Sequence, residues 1–212
     1  MDGNVDILKL THARTTRQRL GLVHRVISVR HLTSTTFVLR IERNNVAAVA
    51  GQCVTLGVHG SGINREYSLY SGECDDYFDF LIRVIADGQV STELQRCKPG
   101  DTVDFDGPYG QFVIAQPQDP ARRYLFVATG VGIAPYGSFV RSYPLLNYTV
   151  VHGARFLNER YDMEFYPRER YIACLTREDG GDFRGRVTAY LRAHPTTPDT
   201  YCYLCGNNAM IA

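Results

Sequence analysis

Apolar and polar residues alternate with a period of two through the first half of the chain and run together in blocks through the second. From Leu22 the alternating segments are LVHRVISVRHL (22–32), TTFVLRIE (35–42) and CVTLGV (53–58), followed by YSLYSG (67–72), YFDFLIRVI (77–85), DTVDFDG (101–107) and QFVIA (111–115). Side chains two apart share one face of a strand, so this pattern predicts strands with one buried face. Gly51, Gly60, Gly62, Gly72, Gly88, Gly100, Gly107 and Gly110 punctuate the segments at short intervals, the texture of a small antiparallel barrel or sandwich. One short helix is expected at Ser91–Arg96, and residues 1–20, which lack a period, as an extended lead-in. After a polar stretch over 116–123 with Pro117 and Pro120, four continuous apolar runs follow: YLFVAT (124–129), YTVVHGA (148–154), YIACLT (171–176) and YCYLCG (201–206). Helical-looking segments separate them, which predicts a parallel sheet covered on both faces. The change of texture divides the chain into an antiparallel β domain over residues 1–118 and an α/β domain over 119–212.

The candidate chemistry gathers where strands end. In YLFVATGVGIAP (124–135) a strand runs through Thr129 into Gly130 and Gly132, and Pro135 stands where a helix begins. Glycine lets a backbone approach a ligand closely, unpaired N–H groups at a helix start attract anions, and proline suits a first helical turn. The segment therefore reads as a phosphate-binding turn or as an ordinary strand–turn–helix connection. With Pro135 in place of a third glycine it departs from the standard dinucleotide fingerprint. The acidic residue of that fingerprint is also missing. Arg155, Arg177 and Arg186 instead follow the next strands, and arginines pair with a 2′-phosphate where a carboxylate would accept from a ribose hydroxyl. The spacing thus favours NADP over NAD.

Upstream, NREYSLYS (64–71) puts Arg65 and Tyr67 on one face of a strand and Ser68 on the other. This set suits an anionic, flat, polar-edged ligand, or is a cation–aromatic surface pair. In ADGQVST (86–92) the Ser91 hydroxyl and neighbouring N–H groups are available to a phosphate, or Ser91 caps the helix with Leu94 in the core. Cys205, at the end of the last strand, is a thiol beside a reacting ring or a buried structural cysteine.

A net charge of +1, 44% hydrophobic and 21% charged residues describe a soluble globular protein, with no bulk signal for nucleic acid or membrane. No run of eighteen apolar residues and no secretory h-region is present, which predicts a cytoplasmic protein. Residues 1–45 carry a balance of +5, a steering surface for an acidic partner or a solvated arginine face. The six cysteines are expected as reduced thiols. Cys202 and Cys205 lie three apart on one strand and therefore face opposite sides, so no shared metal site is expected there, and no iron–sulfur ligand set is visible.

Taken together, RxYS (65–68), the glycine–serine turn (88–91), GPxGxF (107–112), ATGxGIAP (128–135) and CGNxxM (205–210) resemble the ferredoxin–NADP reductase family in order and spacing, over roughly residues 22–212. The resemblance implies a flavin-binding antiparallel β-barrel followed by a nicotinamide-nucleotide-binding α/β domain, with FAD and NADP(H) as cofactors and ferredoxin or flavodoxin as partner. It also implies roles. Arg65, Tyr67, Ser68 and Leu69 would hold the flavin, with Tyr67 stacked on its ring and Ser68 near N5. Gly88, Gln89, Val90 and Ser91 would hold the diphosphate. Thr129, Gly130, Gly132, Ile133 and Pro135 would form the turn under the NADP pyrophosphate, with Thr129 and Cys205 close to the nicotinamide, and Arg155, Arg177 and Arg186 would take the 2′-phosphate. Tyr67, Ser68 and Cys205 are the residues expected at the reacting atoms. Two other readings stand beside this one: the reductase component of an oxygenase, and a flavin-binding module without turnover. The family normally continues past CGNxxM, whereas this chain stops at Ala212, which implies either a truncated product or an open flavin face.

Overall fold

The computed structural model describes residues 8–9 and 21–211, and two six-stranded sheets account for its strands. The expected lead-in over 1–20, with the basic residues Arg14, Arg17 and Arg19, lies outside the described residues apart from β1 (Leu8–Lys9). The first sheet comprises β2 (Leu22–Thr33), β3 (Thr36–Glu42), β4 (Cys53–Val58), β5 (Arg65–Ser68), β6 (Tyr77–Arg83) and β7 (Thr102–Tyr109). Its order is β5-β4-β7-β2-β3-β6, every pair antiparallel. Beyond the ladders, Tyr70 N–H donates to the Asp79 carbonyl at 2.8 Å and draws the two outer strands together.

The period of two has a consequence on both faces. Phe37, Leu39 and Ile41 of β3 and Phe78, Phe80 and Ile82 of β6 point into the barrel core, with Phe78 stacked on Phe105. Val38 and Leu81, between them, belong to a second core on the outer face. Helix α1 (Gln89–Arg96) adds Val90 and Leu94 to the barrel core. Its N-cap is Gly88, three residues before Ser91, for which capping was one of the two readings. The Ser91 hydroxyl instead accepts from Ile85 N–H at 3.2 Å and donates to the Gly88 carbonyl at 3.4 Å.

The second sheet holds β8 (Arg123–Thr129), β9 (Tyr148–Ala154), β10 (Tyr171–Leu175), β11 (Phe183–Arg184) and β12 (Thr200–Cys205). Its order is β1-β12-β8-β9-β10-β11, all parallel. Thus β1, the earliest of the described strands, pairs with the last of them and not with the barrel that follows it. The apolar blocks are buried on both faces: Phe126 and Ala128 face α2 (Ala134–Ser142), while Leu125 and Val127 join the layer of α3 (Val187–Ala193). Cys205 packs in the first of these layers and Cys202 in the second, on opposite sides of β12, and all six cysteines are free. A last short helix, α4, covers Asn208–Ile211. Among the described residues no helix is long and apolar enough to cross a membrane.

The segment QFVIA was expected as a strand and is not one. Phe112 and Ile114 insert between the two sheets, and the carbonyls of Val113 and Ala115 accept from Tyr203 Oη (3.1 Å) and Tyr124 Oη (2.9 Å) in place of a ladder. The sheets share one apolar core in which Val38, Ala50, Tyr70 and Leu81 meet Tyr136, Phe139 and Tyr166. A Cβ on Gly137 would stand 2.3 Å from the Tyr70 ring, so the α2 backbone approaches that ring directly. Around this core Arg30 grips the buried Asp162 through two hydrogen bonds of 2.8 and 2.7 Å, and Tyr70 Oη donates to the same carboxylate at 3.0 Å. Arg141 of α2 reaches back to Asp75, the Tyr77 hydroxyl and the Tyr70 carbonyl.

Candidate functional site

All parallel strands deliver their carboxyl ends to one edge, and that edge faces the barrel. The cleft between them has a volume of about 940 Å³, at the upper end of the range for small-ligand sites. β5 contributes Tyr67 and Ser68. The opposite wall carries Thr129, Gly130 and Gly132, Cys205, and the guanidinium-bearing residues Arg155, Arg177 and Arg186. Nine of the residues singled out in the sequence are therefore brought together. The others stand outside the cleft wall. Leu69, Val90, Ser91 and Ile133 are buried in the cores beneath it, and Pro135 lies in the first turn of α2. Arg65 is exposed and folds back onto its neighbour, Nη1 donating to the Asn64 carbonyl at 2.7 Å. Gly88 and Gln89 open α1, where no side chain caps the helix, and Gln89 Nε2 donates to Glu93 at 2.9 Å. Burial holds the Tyr67 hydroxyl up at about 12 against the opposing pull of Arg65, so the phenol stays protonated.

The glycine turn has a divided role. Thr129 is extended, Gly130 takes φ of +54°, and a 3-10 turn over Gly130–Ile133 leads into α2 with no side chain capping its N–H groups. A Cβ on Gly130 would meet nothing within 4 Å, so this glycine leaves room on the open side. Gly132 serves a different purpose: its Cβ would stand 2.5 Å from the Cys205 carbonyl oxygen and 2.6 Å from Gly206 Cα. Gly206, with φ of +141°, packs back against Thr129, whose Oγ1 accepts from Asn207 N–H at 2.8 Å. Two loops, 129–132 and 205–207, are thus pressed together with no side chain between them to form the cleft floor. This cradle fits a bound dinucleotide. It leaves free backbone donors, a slot beside Gly130 and cations on the rim.

The three arginines differ. Arg155 Nε donates to Glu159 Oε1 at 2.8 Å, and its backbone N–H donates to Oε2 at 2.7 Å. Burial works to raise the Glu159 pKa, but the Arg155 hydrogen bonds and charge outweigh it and hold the carboxyl below its ordinary value. Arg155 is therefore already neutralised by a partner that spacing did not suggest. Arg177 and Arg186 have no ion-pair partner among the described residues. Arg186 is the N-cap of α3. Cys205, half-buried, is pushed up to about 12 by burial, so it presents a neutral, polarisable sulfur and not a thiolate.

Several cleft residues were not legible in the sequence. Cys53, Leu81 and Arg83 come from barrel strands, and Gly153 and Glu159 from the second domain. Nothing in a strand pattern marks which strand end will face another domain. His152, inside VVHGAR, was read only as part of an apolar run. It is fully buried, with Nε2 2.9 Å from the Gly130 carbonyl and Nδ1 2.6 Å from Tyr171 Oη. Burial lowers its pKa to about 4, against smaller opposing effects of the Gly130 hydrogen bond and the Glu159 charge. The folded pKa lies below the unfolded value near 6.5, so the unfolded chain binds the proton first, and stability is lost as pH falls through this window. We expect His152 to remove about 2 kcal/mol of stability between about pH 7 and pH 5. Urea midpoints should shift accordingly in the native protein and much less in His152→Gln; equal shifts in both would refute the assignment.

Comparison with known proteins adds four findings. The family model for the oxidoreductase FAD-binding domain matches residues 21–114. Ferredoxin–NADP reductase B of Sorangium cellulosum is 33% identical over 199 residues, covering 86% of this chain and 79% of the relative. The toluate 1,2-dioxygenase electron transfer component of Pseudomonas putida is 32% identical over 212 residues, covering 92% of this chain but 62% of the relative, so this chain spans less than two thirds of that protein. Among solved structures, a ferredoxin NADP+ reductase from Neisseria gonorrhoeae with bound FAD and NADP has the same fold, with a TM-score of 0.81 at 23% identity over 91% of this chain and 88% of that one.

Proposed function

We propose, from the premise that this chain belongs to the ferredoxin–NADP reductase family, that it transfers a hydride between NADP(H) and FAD and single electrons between FAD and a ferredoxin or flavodoxin. The observation that carries this reading is the single cleft in which Tyr67 and Ser68 of the barrel face the Thr129–Gly132 turn, Cys205 and three arginines of the parallel sheet. Bound FAD supplies the ring that accepts a hydride and releases electrons singly, and NADPH supplies the hydride. The protein's part is binding, orientation and exclusion of water. Tyr67 offers a protonated, half-buried aromatic face for the flavin ring, with Ser68 as the adjacent hydroxyl. The uncapped N–H groups of the Gly130 turn meet a pyrophosphate. Thr129 and Cys205 wall the space between the two ring sites, and the neutral Cys205 thiol fills volume there without competing as a nucleophile. Arg177 and Arg186 would hold the 2′-phosphate, with Arg155 contributing once Glu159 shares it. For the FAD diphosphate, the uncapped N–H groups of Gln89 and Val90 in the first turn of α1 remain the donors, since the Gly88 N–H is taken by the Ile85 carbonyl and the Ser91 hydroxyl by backbone.

The direct test is anaerobic: NADPH should bleach the yellow holoprotein, and a flavin that stays oxidised would overturn the reading. Arg177→Ala and Arg186→Ala should each lower kcat/KM for NADPH by about tenfold to a hundredfold, the value of a charge-assisted hydrogen bond of about 1.5–3 kcal/mol. NADH turnover should not change; equal losses with both nucleotides would remove these residues from 2′-phosphate recognition. A second reading, the reductase component of an oxygenase, draws on the similarity to the toluate dioxygenase component. Rates of reduction of a free ferredoxin, a flavodoxin and an oxygenase iron–sulfur protein distinguish the two. A cytoplasmic location accompanies either reading, supported by six free thiols.

A further inference from the structure

We propose that His152, held by Tyr171, is the positioning residue that aims the backbone of the glycine turn at the nucleotide; this rests on the reading of that turn as the pyrophosphate site. The argument starts from the peptide joining Gly130 and Val131. Gly130 has φ of +54° and nothing within 4 Å of where a Cβ would stand, so no side chain of its own sets the orientation of this peptide. Its carbonyl is directed inward to His152 Nε2 at 2.9 Å. A trans peptide points its C=O and N–H in opposite directions. Tying the carbonyl to a fully buried imidazole therefore turns the Val131 N–H outward, towards the cleft that Val131 lines.

The ring itself is fixed by the same logic. A carbonyl oxygen only accepts, so Nε2 must carry the hydrogen; Nδ1 of the neutral ring is then an acceptor, and Tyr171 Oη, 2.6 Å away, donates to it. Tyr171 is buried in the interdomain core and sits edge-on to the imidazole, with their ring centroids 5.9 Å apart. Tyr161 packs on the same ring, at 6.2 Å. The chain of hydrogen bonds thus runs Tyr171 hydroxyl, His152 Nδ1, His152 Nε2, Gly130 carbonyl, with each donor and acceptor matched. It links the start of β10 through β9 to the turn after β8, neighbours in the sheet. His152 acts through the turn and touches no ligand.

Two measurements test this. In the FAD-loaded protein carrying 15N-labelled histidine, the His152 ring should be the neutral Nε2–H tautomer at about pH 7, whether or not nucleotide is present; an Nδ1–H tautomer or an imidazolium overturns the assignment. Functionally, glutamine can return a donor near the Nε2 position and leucine cannot. His152→Leu should raise the KM for NADPH and the dissociation constant of NADP+ by about tenfold, the effect of one misdirected backbone donor. Flavin content and kcat should remain within about threefold of native, and His152→Gln should recover most of the affinity. Tyr171→Phe, a milder change that keeps the ring in the core, should broaden the tautomer signal and raise KM by about threefold. Leucine and glutamine variants of equal affinity, or Tyr171→Phe without effect on tautomer or KM, would overturn the proposal. A native protein that fails to bind NADP+ while keeping the Nε2–H tautomer would overturn the nucleotide reading instead.

Discussion

Gly206→Ala is expected to lower NADPH-dependent turnover by more than about a hundredfold and to destabilise the fold by roughly 2–5 kcal/mol. The added methyl group would lie 2.2 Å from Thr129 Oγ1, 2.9 Å from Thr129 N and 3.0 Å from Thr129 O, and φ at this residue is +141°. No rotamer of Thr129 relieves contacts made by its own backbone. The two loops must separate, and separation breaks the Asn207 N–H bond to Thr129 Oγ1 and moves Thr129 and Cys205 apart. Displacement of positioning groups by about 1 Å is sufficient for a hundredfold loss of rate. Gly60→Ala is the control. Its φ of +78° is also unfavourable for alanine, but nothing lies within 4 Å of the added Cβ, so it should cost about 1–2 kcal/mol of strain and leave turnover unchanged. Urea unfolding and steady-state kinetics on the two variants check this. Gly206→Ala with native kcat and KM would mean that the loops do not form the floor of the site.

The second large effect is expected from Arg141→Met, which should cost about 3–5 kcal/mol. Methionine replaces most of the side-chain volume but none of the bonds. Arg141 is only 15% exposed, pairs with Asp75, lies 3.6 Å from Asp79, and donates to the Tyr70 carbonyl at 3.0 Å and the Tyr77 hydroxyl at 3.1 Å. Its guanidinium also lies over the Phe165 ring. Asp79 keeps its two bonds to Arg40, of 2.8 and 2.9 Å, so the loss should fall at the lower end of the range. Because the severed contacts join α2 to the segment following β5, kcat should fall as well, the barrel half of the cleft losing its fixed angle to the nucleotide half. A urea midpoint lowered by less than about 1 kcal/mol equivalent would show that the shared apolar core alone holds the halves together.

How much of this was legible varied from residue to residue. The glycines of the 130–132 turn were visible as a pair, yet sequence could not separate Gly130, open to a ligand, from Gly132, closed against Cys205 and Gly206; the difference depends on a loop more than seventy residues away. Arg155, Arg177 and Arg186 were identified together, and only Arg155 proved to be held, because Glu159 folds back through a short turn that has no periodic signature. Ser91 was a reasonable cap by type but became part of the helix once Val90 and Leu94 were drawn into the barrel core. QFVIA has the alternation of a strand, and the same alternation serves a segment wedged between two sheets when tyrosine hydroxyls satisfy its carbonyls.

The sequence by itself determined the two architectures, because local periodicity dictates which faces must be buried: alternation makes one-sided antiparallel strands, and unbroken apolar blocks make strands covered on both sides. It also determined the turn before Pro135, since the conformational freedom of glycine and the missing N–H of proline act within a few residues. Only the tertiary structure decided which strand ends face each other across the cleft, that β1 pairs with β12, and that a buried histidine and tyrosine hold the turn in place. Those outcomes depend on packing between residues distant in the chain, where the pairing energy of each group is set by neighbours that no local pattern names.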